Sequence, residues 1–393
     1  LWHGPTCAFK DMALQMLPHL LTASLRKTGE TRTACILVAT SGDTGKAALD
    51  GFHDVPGTKI MVYYPVDGVS PMQKLQMATQ EGANVEVIAI HGNFDDAQSA
   101  VKRIFTDDET RAQLDRDGMM LSSANSINWG RLAPQIAYYV SAYCDMVKAG
   151  TIRQGDRINV CVPTGNFGNI LAAYIAKQMG LPVNKFICAS NRNNVLTDFF
   201  KKDGEYNRNR DFYTTTSPSM DILISSNLER LLFFVSDFDD KMVAELMAKL
   251  NTEGSYKVAS DVFAKIAADF DAGCCDEHAA ETIHRLWTEE KYLCDTHTAV
   301  AVRVYEDYRA RTGDETPTVI ASTASPFKFC RAVIEALGGT LEKDDVTQLD
   351  VLTGLTGVPA PAPLAALAGK TPRFDRVVDK ADILSTVALL KDL

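Results

Sequence analysis

Apolar and polar positions along this 393-residue chain repeat with two different periods. Short, nearly continuous apolar runs of strand length fall at 34–39, 59–64, 85–90 and 157–162, with a last one at 318–321. Between them apolar residues return at helical spacing. The segment 11–25 carries Leu14, Leu17 and Leu21 on one stripe, and 46–52, 71–80 and 95–105 follow. A helix over 170–179 has Gly180 as a suitable stop. Helical periodicity resumes at 242–250 and extends over 261–292. Strands alternating with helices predict an α/β protein whose parallel sheets are wrapped by helices. Residues 191–231 read as polar and irregular, and Val358-Pro359-Ala360-Pro361-Ala362-Pro363 marks a linker into a short tail. No internal repeat is present.

Length and charge narrow the classes. A chain of this size predicts about two domains with ample apolar content for packed cores. The net charge of −10 argues against a nucleic-acid partner, and an anionic substrate would need a local basic patch. The nine cysteines are scattered, without a Cys-x-x-Cys pair and with Cys274 and Cys275 adjacent. That usage predicts reduced thiols in the cytoplasm, with neither a disulfide frame nor a metal site. No apolar run reaches membrane-spanning length, no secretory signal is present, and no membrane partner is expected. Leu1 stands inside a motif-like run, which predicts a preceding N-terminal segment. Nothing in the pattern specifies an oligomeric state.

Two glycine-bearing turns sit where a strand leads into a helix. In Pro163-Thr164-Gly165-Asn166-Phe167-Gly168-Asn169-Ile170, Gly165 and Gly168 open backbone angles closed to other residues. The turn and the helix start aim N–H groups into one space, and the helix dipole adds positive potential that suits a phosphate. An ordinary tight turn explains the same residues, so both readings stand. The other turn, Thr40-Ser41-Gly42-Asp43-Thr44-Gly45 before Lys46, superficially matches a P-loop. Thr40 stands where that motif needs Gly, and Ala47 where it needs Ser or Thr. What remains is a loop of hydroxyls and N–H donors suited to a carboxylate, or a helix capped by Ser41 or Asp43.

An amine and a hydroxyl complete the set. Lys10 lies in Gly4-Pro5-Thr6-Cys7-Ala8-Phe9-Lys10-Asp11, flanked by Ala8, Phe9, Met12 and Ala13. Burial there would lower the ammonium pKa and expose a neutral nucleophile, whereas a plain helix-start lysine fits equally. Ser322-Thr323-Ala324-Ser325-Pro326 follows the last strand, and Thr323 either caps that strand or faces a ligand. Phosphate cradle, amine and hydroxyl together fit pyridoxal phosphate held as a Schiff base.

The chain resembles the threonine synthase family. The resemblance rests on Leu1 to Asp11, on Ala39-Thr40-Ser41-Gly42-Asp43-Thr44-Gly45, on Asn125-Ser126-Ile127-Asn128-Trp129 and on Pro163 to Ile170. It extends through Ser217-Pro218-Ser219-Met220-Asp221-Ile222, Ser225-Ser226-Asn227-Leu228-Glu229-Arg230-Leu231 and Asp295-Thr296-His297-Thr298-Ala299-Val300, all in family order. It points to the longer bacterial and fungal branch, whose members carry an N-terminal region absent here. The family implies the fold type II arrangement, similar to the tryptophan synthase β chain, with two open twisted-sheet domains and a pyridoxal 5′-phosphate cleft between them. The expected division is a lysine-bearing segment 1–33 packing with the large domain, a smaller α/β domain 34–133, and a large phosphate-binding domain 134–393 that includes the tail.

The resemblance also implies roles. Lys10 would be the catalytic amine that bonds the cofactor, Gly165, Asn166, Phe167, Gly168 and Asn169 would hold its phosphate, and Thr323 would set a hydroxyl against the pyridine nitrogen. The implied reaction converts O-phospho-L-homoserine and water to L-threonine and phosphate by γ-elimination and β-addition. Ser41, Asp43, Thr44, Asn125, Ser126, Asn128 and Arg131 are the candidate substrate contacts. Arg131 can grip two phosphate oxygens or be a solvated helix residue, and Asn128 can serve as an N-cap. Lys46 can add charge. Two positions depart from the family: Ser325 replaces a usual His and Gly68 a usual basic residue. A phospho-lyase giving 2-oxobutyrate and a non-catalytic scaffold are the alternatives. A hydrolase assembled from Ser41, His3 and Asp43 lacks a Gly-x-Ser-x-Gly elbow.

Overall fold

The computed structural model describes residues 1–275 and 278–393. The strands, in chain order, are β1 Thr33–Ala39, β2 Thr58–Pro65, β3 Val85–His91, β4 Met119–Ser123, β5 Ile158–Pro163, β6 Val183–Ser190, β7 Glu205–Asn207, β8 Ser255–Lys257, β9 Phe270–Cys274, β10 Thr318–Ile320 and β11 Val377–Asp379. Chain contacts gather them into two compact units, 1–134 with 324–393, and 135–323.

The first unit is built on a five-stranded parallel sheet in the order β11-β3-β2-β1-β4. Every residue of β1 after Thr33 is buried, the pattern of a parallel strand covered on both faces. Ile36, Val38, Ile60, Val62 and Val87 form its core with Leu14 and Leu17 of the helix Asp11–Thr28 and Leu49 and Phe52 of the helix Asp43–Phe52. Side chains of this size contribute about 1.5–3 kcal/mol each when fully buried. The two helices touch at Gly51, where a Cβ would lie 2.1 Å from the carbonyl oxygen of Leu14. That close approach fixes the entry of the first helix, where Lys10 sits, against the helix that begins at Asp43.

The second unit holds a four-stranded parallel sheet in the order β10-β5-β6-β9 and a separate antiparallel pair, β7 with β8. All of β5 is buried, and so is the helix Gly168–Gln178 from Asn169 to Ala176. Aromatic rings fill the space between helices and sheet, with Phe200 stacked on Phe270 at 5.4 Å.

Several expectations change. The helix expected over 261–292 is a helix Ser260–Asp269, then β9, then a helix Ala279–Glu290, while residues 276–277 lie outside the described residues. Phe270 and Ala272 point inward with Asp271 and Gly273 between them, a period of two that pairs β9 with β6. The irregular region contains the helix Val195–Lys201, β7 and the start of the helix Leu228–Val235. The domain boundaries are also drawn differently. The helix Asp11–Thr28 packs within the first unit, against the helix at Asp43. The tail belongs there too, because β11 adds to the sheet edge with Val377 opposite Ala89.

Candidate active site

In the first unit, Lys10 stands at the N-terminal end of the helix Asp11–Thr28 and is 7% exposed. A folded strap holds it. The Thr6 amide donates to the Asp11 carboxylate at 2.9 Å, and the Thr6 hydroxyl donates to the other oxygen. Gly4 has to be glycine, since a Cβ would come within 2.5 Å of that carboxylate. The Ser325 amide donates to the Cys7 carbonyl at 3.1 Å, and Ala8 bridges Ala324. The Lys10 ammonium sits 4.4 Å from the centre of the Phe9 ring and 3.6 Å from Oδ2 of Asp43.

Burial is the main reason that the Lys10 pKa falls to about 8; Asp43 pulls it up, and the charges of Arg131 and Lys328 push it further down. Asp43 responds the other way. Burial alone would raise its pKa, but Lys328 and Lys10 hold it well below the usual carboxylate range. Its Oδ1 accepts from the Lys328 ammonium at 2.6 Å and from Nε2 of Gln73 at 2.8 Å. Gln73 is itself fixed by a capping box with Ser70 at the start of the helix Pro71–Ala78.

The loop before Asp43 is capped differently from the expectation. Gly42, at φ +130°, is the N-cap, with no side-chain cap bond. Thr40 Oγ1 instead accepts from the amides of Gly42 at 2.9 Å and Gly45 at 2.8 Å. Asp43 therefore faces Lys10 and Lys328 rather than its own helix end, and Ser41 is half-buried on the same loop. Arg131 is 6% exposed, so the solvated reading does not hold. It donates through Nη1 to the Ala124 carbonyl and through Nη2 to the Thr44 hydroxyl, both at 3.1 Å. Asn125 ties the end of β4 to β1 by donating to the Ala39 carbonyl at 2.8 Å. Asn128 is an N-cap, accepting from Gly130 at 2.9 Å and donating to the Ser123 carbonyl at 2.8 Å. Ser126 is half-buried between them. These residues gather at the carboxyl ends of β1 and β4, the end of a parallel sheet where ligands bind. Lys46 reaches Asp50 and Gln80.

In the second unit, Gly165 to Asn169 join β5 to the helix Gly168–Gln178. Neither Gly165 nor Gly168 takes a left-handed φ; Phe167 does, at +63°, with its ring buried beside Phe200 and Phe270. Gly165 is needed for space, because a Cβ would lie 2.6 Å from the Ser219 carbonyl oxygen. The loop is anchored through its carbonyls. Ser225 donates to the Gly165 oxygen at 2.7 Å, and the Asn227 side chain to the Asn166 oxygen at 2.9 Å. Asn169 accepts from the Tyr139 hydroxyl, while its Nδ2 is buried with no hydrogen-bond partner among the described residues. A buried orphan donor beside the unsatisfied N–H groups of a helix start calls for an acceptor-rich ligand. Thr323 is buried and follows β10, which pairs with β5 through Ile320 and Cys161, so topology carries Thr323 and Gly165 to the same end of one sheet.

Sequence reasoning missed Lys328 and Gln73, and it quoted Thr40, Ser219 and His297 without the roles they take here. His297 shares a hydrogen bond with Asp295 at 2.8 Å through Nδ1, and its Nε2 accepts from the Ser219 amide at 3.2 Å. That bond steadies the segment lying over Gly165. Ser325, where the family has His, caps the turn Pro326–Phe329 by accepting from the Phe327 amide at 3.3 Å. Gly68 lies in a turn where a Cβ would sit 2.4 Å from Cγ of Pro65, leaving little room for the usual basic residue. All nine cysteines are free thiols, and no described helix is long and apolar enough to cross a membrane.

Taken separately, the first unit offers a buried amine with its pKa lowered to about 8, suited to an aldehyde, and the second a loop with an orphan donor, suited to a phosphate. Comparison with known proteins agrees. Residues 1–323 match the family described as pyridoxal-phosphate dependent enzyme, and residues 298–387 match threonine synthase, C-terminal. Human threonine synthase-like 1 is 44% identical over 86% of this chain and 46% of its own length. Threonine synthase of Saccharomyces cerevisiae is 37% identical over 88% of this chain and 70% of its own. The crystal structure of pyridoxal-phosphate-bound threonine synthase from Brucella melitensis superimposes with a TM-score of 0.83 at 36% identity, covering 100% of this chain and 77% of that one. The chain thus spans about half the length of threonine synthase-like 1 and about three quarters of the Brucella protein. The chain belongs to the threonine synthase family of fold type II pyridoxal-phosphate dependent enzymes, and its cofactor is pyridoxal 5′-phosphate.

Proposed function

We propose that the chain is a threonine synthase, a lyase that converts O-phospho-L-homoserine and water to L-threonine and phosphate. The observation that carries this reading is the buried Lys10, whose pKa of about 8 leaves a substantial neutral fraction near physiological pH. In this reading Lys10 holds the cofactor aldehyde, Gly165, Asn166, Phe167, Gly168 and Asn169 receive its phosphate, and the Thr323 hydroxyl faces the pyridine nitrogen. When bound, the cofactor supplies an electron sink that stabilises negative charge at Cα and Cβ of an attached amino acid. A hydroxyl at the pyridine nitrogen tempers that sink, unlike a carboxylate.

The freed Lys10 amine is the base at substrate Cα and the carrier that moves protons onward. Loss of the Cβ proton expels the γ-phosphate, water adds at Cβ, and proton return completes threonine. Arg131 provides the positive charge for the substrate phosphate, supported by its place beside Thr44. Ser41, Thr44, Asn125, Ser126 and Asn128 line the substrate side. Asp43 acts through Lys10, since its oxygens face Lys10, Lys328 and Gln73.

The deciding assay follows phosphate and threonine together from phosphohomoserine. Equal yields support the synthase. Phosphate accompanied by 2-oxobutyrate and ammonia, without threonine, identifies a phospho-lyase instead.

A further inference from the structure

Lys328 is a fully buried lysine that the proposed reaction does not use. Its side chain is 0% exposed, and its ammonium donates to Oδ1 of Asp43 at 2.6 Å and to the Thr6 carbonyl at 2.9 Å. The Thr6 contact reaches the strap that carries Lys10. The carboxylate of Asp43 is divided unequally. Oδ1 receives both short bonds, from Lys328 and Gln73, while Oδ2 meets Lys10 only at 3.6 Å, beyond hydrogen-bond length.

We propose that Lys328 is a positioning residue that claims the Asp43 carboxylate, so that Asp43 orients Lys10 without locking the Lys10 proton in place. Three buried charges stand together, two positive and one negative. When Lys10 is neutral, Lys328 and Asp43 remain a matched pair, so neither of those two buried charges is left uncompensated. Without Lys328, Asp43 has Lys10 as its nearest cation, and a buried carboxylate so placed holds its partner protonated. The inference rests on Lys10 being the cofactor-bearing amine. The charged groups acting on Lys10 are Asp43, Arg131 and Lys328, and Lys328 also acts on Cys7, Asp11 and Lys46. Arg131 stays in place throughout the test, so the difference between variants isolates Lys328.

The test is trace acetylation of the cofactor-free full chain across neutral and alkaline pH, with Lys10 followed by peptide mass mapping. The unmodified chain should give a Lys10 midpoint near pH 8. Lys328→Met should raise that midpoint by about one unit, slowing Lys10 acetylation about tenfold at fixed neutral pH. The double variant Asp43→Asn with Lys328→Met removes both charges and should return the midpoint to the starting value or lower it. A purely structural Lys328 produces no such opposite shifts. A folded Lys328→Met chain, judged by near-ultraviolet circular dichroism, with an unchanged or lowered midpoint overturns the proposal. If the single variant does not fold, the double variant decides: a midpoint above that of the unmodified chain overturns it, and one at or below supports it. Failure of the underlying reading shows separately, as cofactor found on another lysine after borohydride reduction.

Discussion

The two sets of site residues are built in opposite ways. Around Lys10 the structure is ionic: two lysines share a single buried carboxylate, and Arg131 adds a third cation nearby. The loop Gly165 to Asn169 carries no charged side chain of its own and offers backbone shape, an orphan amide and the start of a helix. In the proposed function the lysine end has to change protonation state to work, so it is tuned by charges that can be traded. The proposed phosphate end has only to fit a permanent anion, so it would be tuned by space. The first should break when charge is altered, and the second when atoms are added.

The largest effect belongs to Lys10→Ala. It should abolish both the visible absorbance of bound cofactor and turnover, because the neighbouring amine, Lys328, is held as a cation by Asp43 and the Thr6 carbonyl. Gly165→Ala comes next. The added Cβ meets a backbone carbonyl at 2.6 Å, which cannot swing aside as a side-chain tip could. Overpacking of this kind costs about 1–3 kcal/mol, and cofactor titration should show affinity about tenfold weaker or worse. Asn169→Ala, which deletes the orphan donor, should weaken cofactor binding by about tenfold while leaving the Lys10 midpoint untouched. That separation is what the contrast between the two regions predicts.

The smallest effect is a pH dependence of the cofactor-free chain. The Lys10 pKa is about 8 when folded and about 10.4 when unfolded. Between those values the unfolded chain binds more protons, so stability rises with pH. Below the lower value the cost of burying the ammonium is present in full. Denaturant midpoints should therefore climb from about pH 8 to pH 10, and Lys10→Met should flatten that slope.

Much of this was legible in local runs. Continuous apolar stretches marked β1, β2, β3 and β5, and the lysine and glycine motifs stood out because each lies within a few consecutive residues. The signal failed where pairing is distant. Lys328 binds Thr6 across 322 positions, and nothing around Phe327 or Phe329 announces a buried cation. β9 is short and shares its stretch with helical segments, so its period of two was hidden. β11 is three residues long and mostly exposed, and only pairing with β3 makes it a strand and draws the tail into the first unit. The glycine loop was found for a partly mistaken reason, since its left-handed residue is Phe167 and Gly165 is required for clearance.

The most direct test of the central claim is borohydride reduction of the cofactor-loaded protein, followed by proteolysis and mass mapping. The pyridoxyl group should be found on Lys10 and nowhere else. A stoichiometric label on any other lysine, or none on a folded and cofactor-saturated chain, contradicts the account.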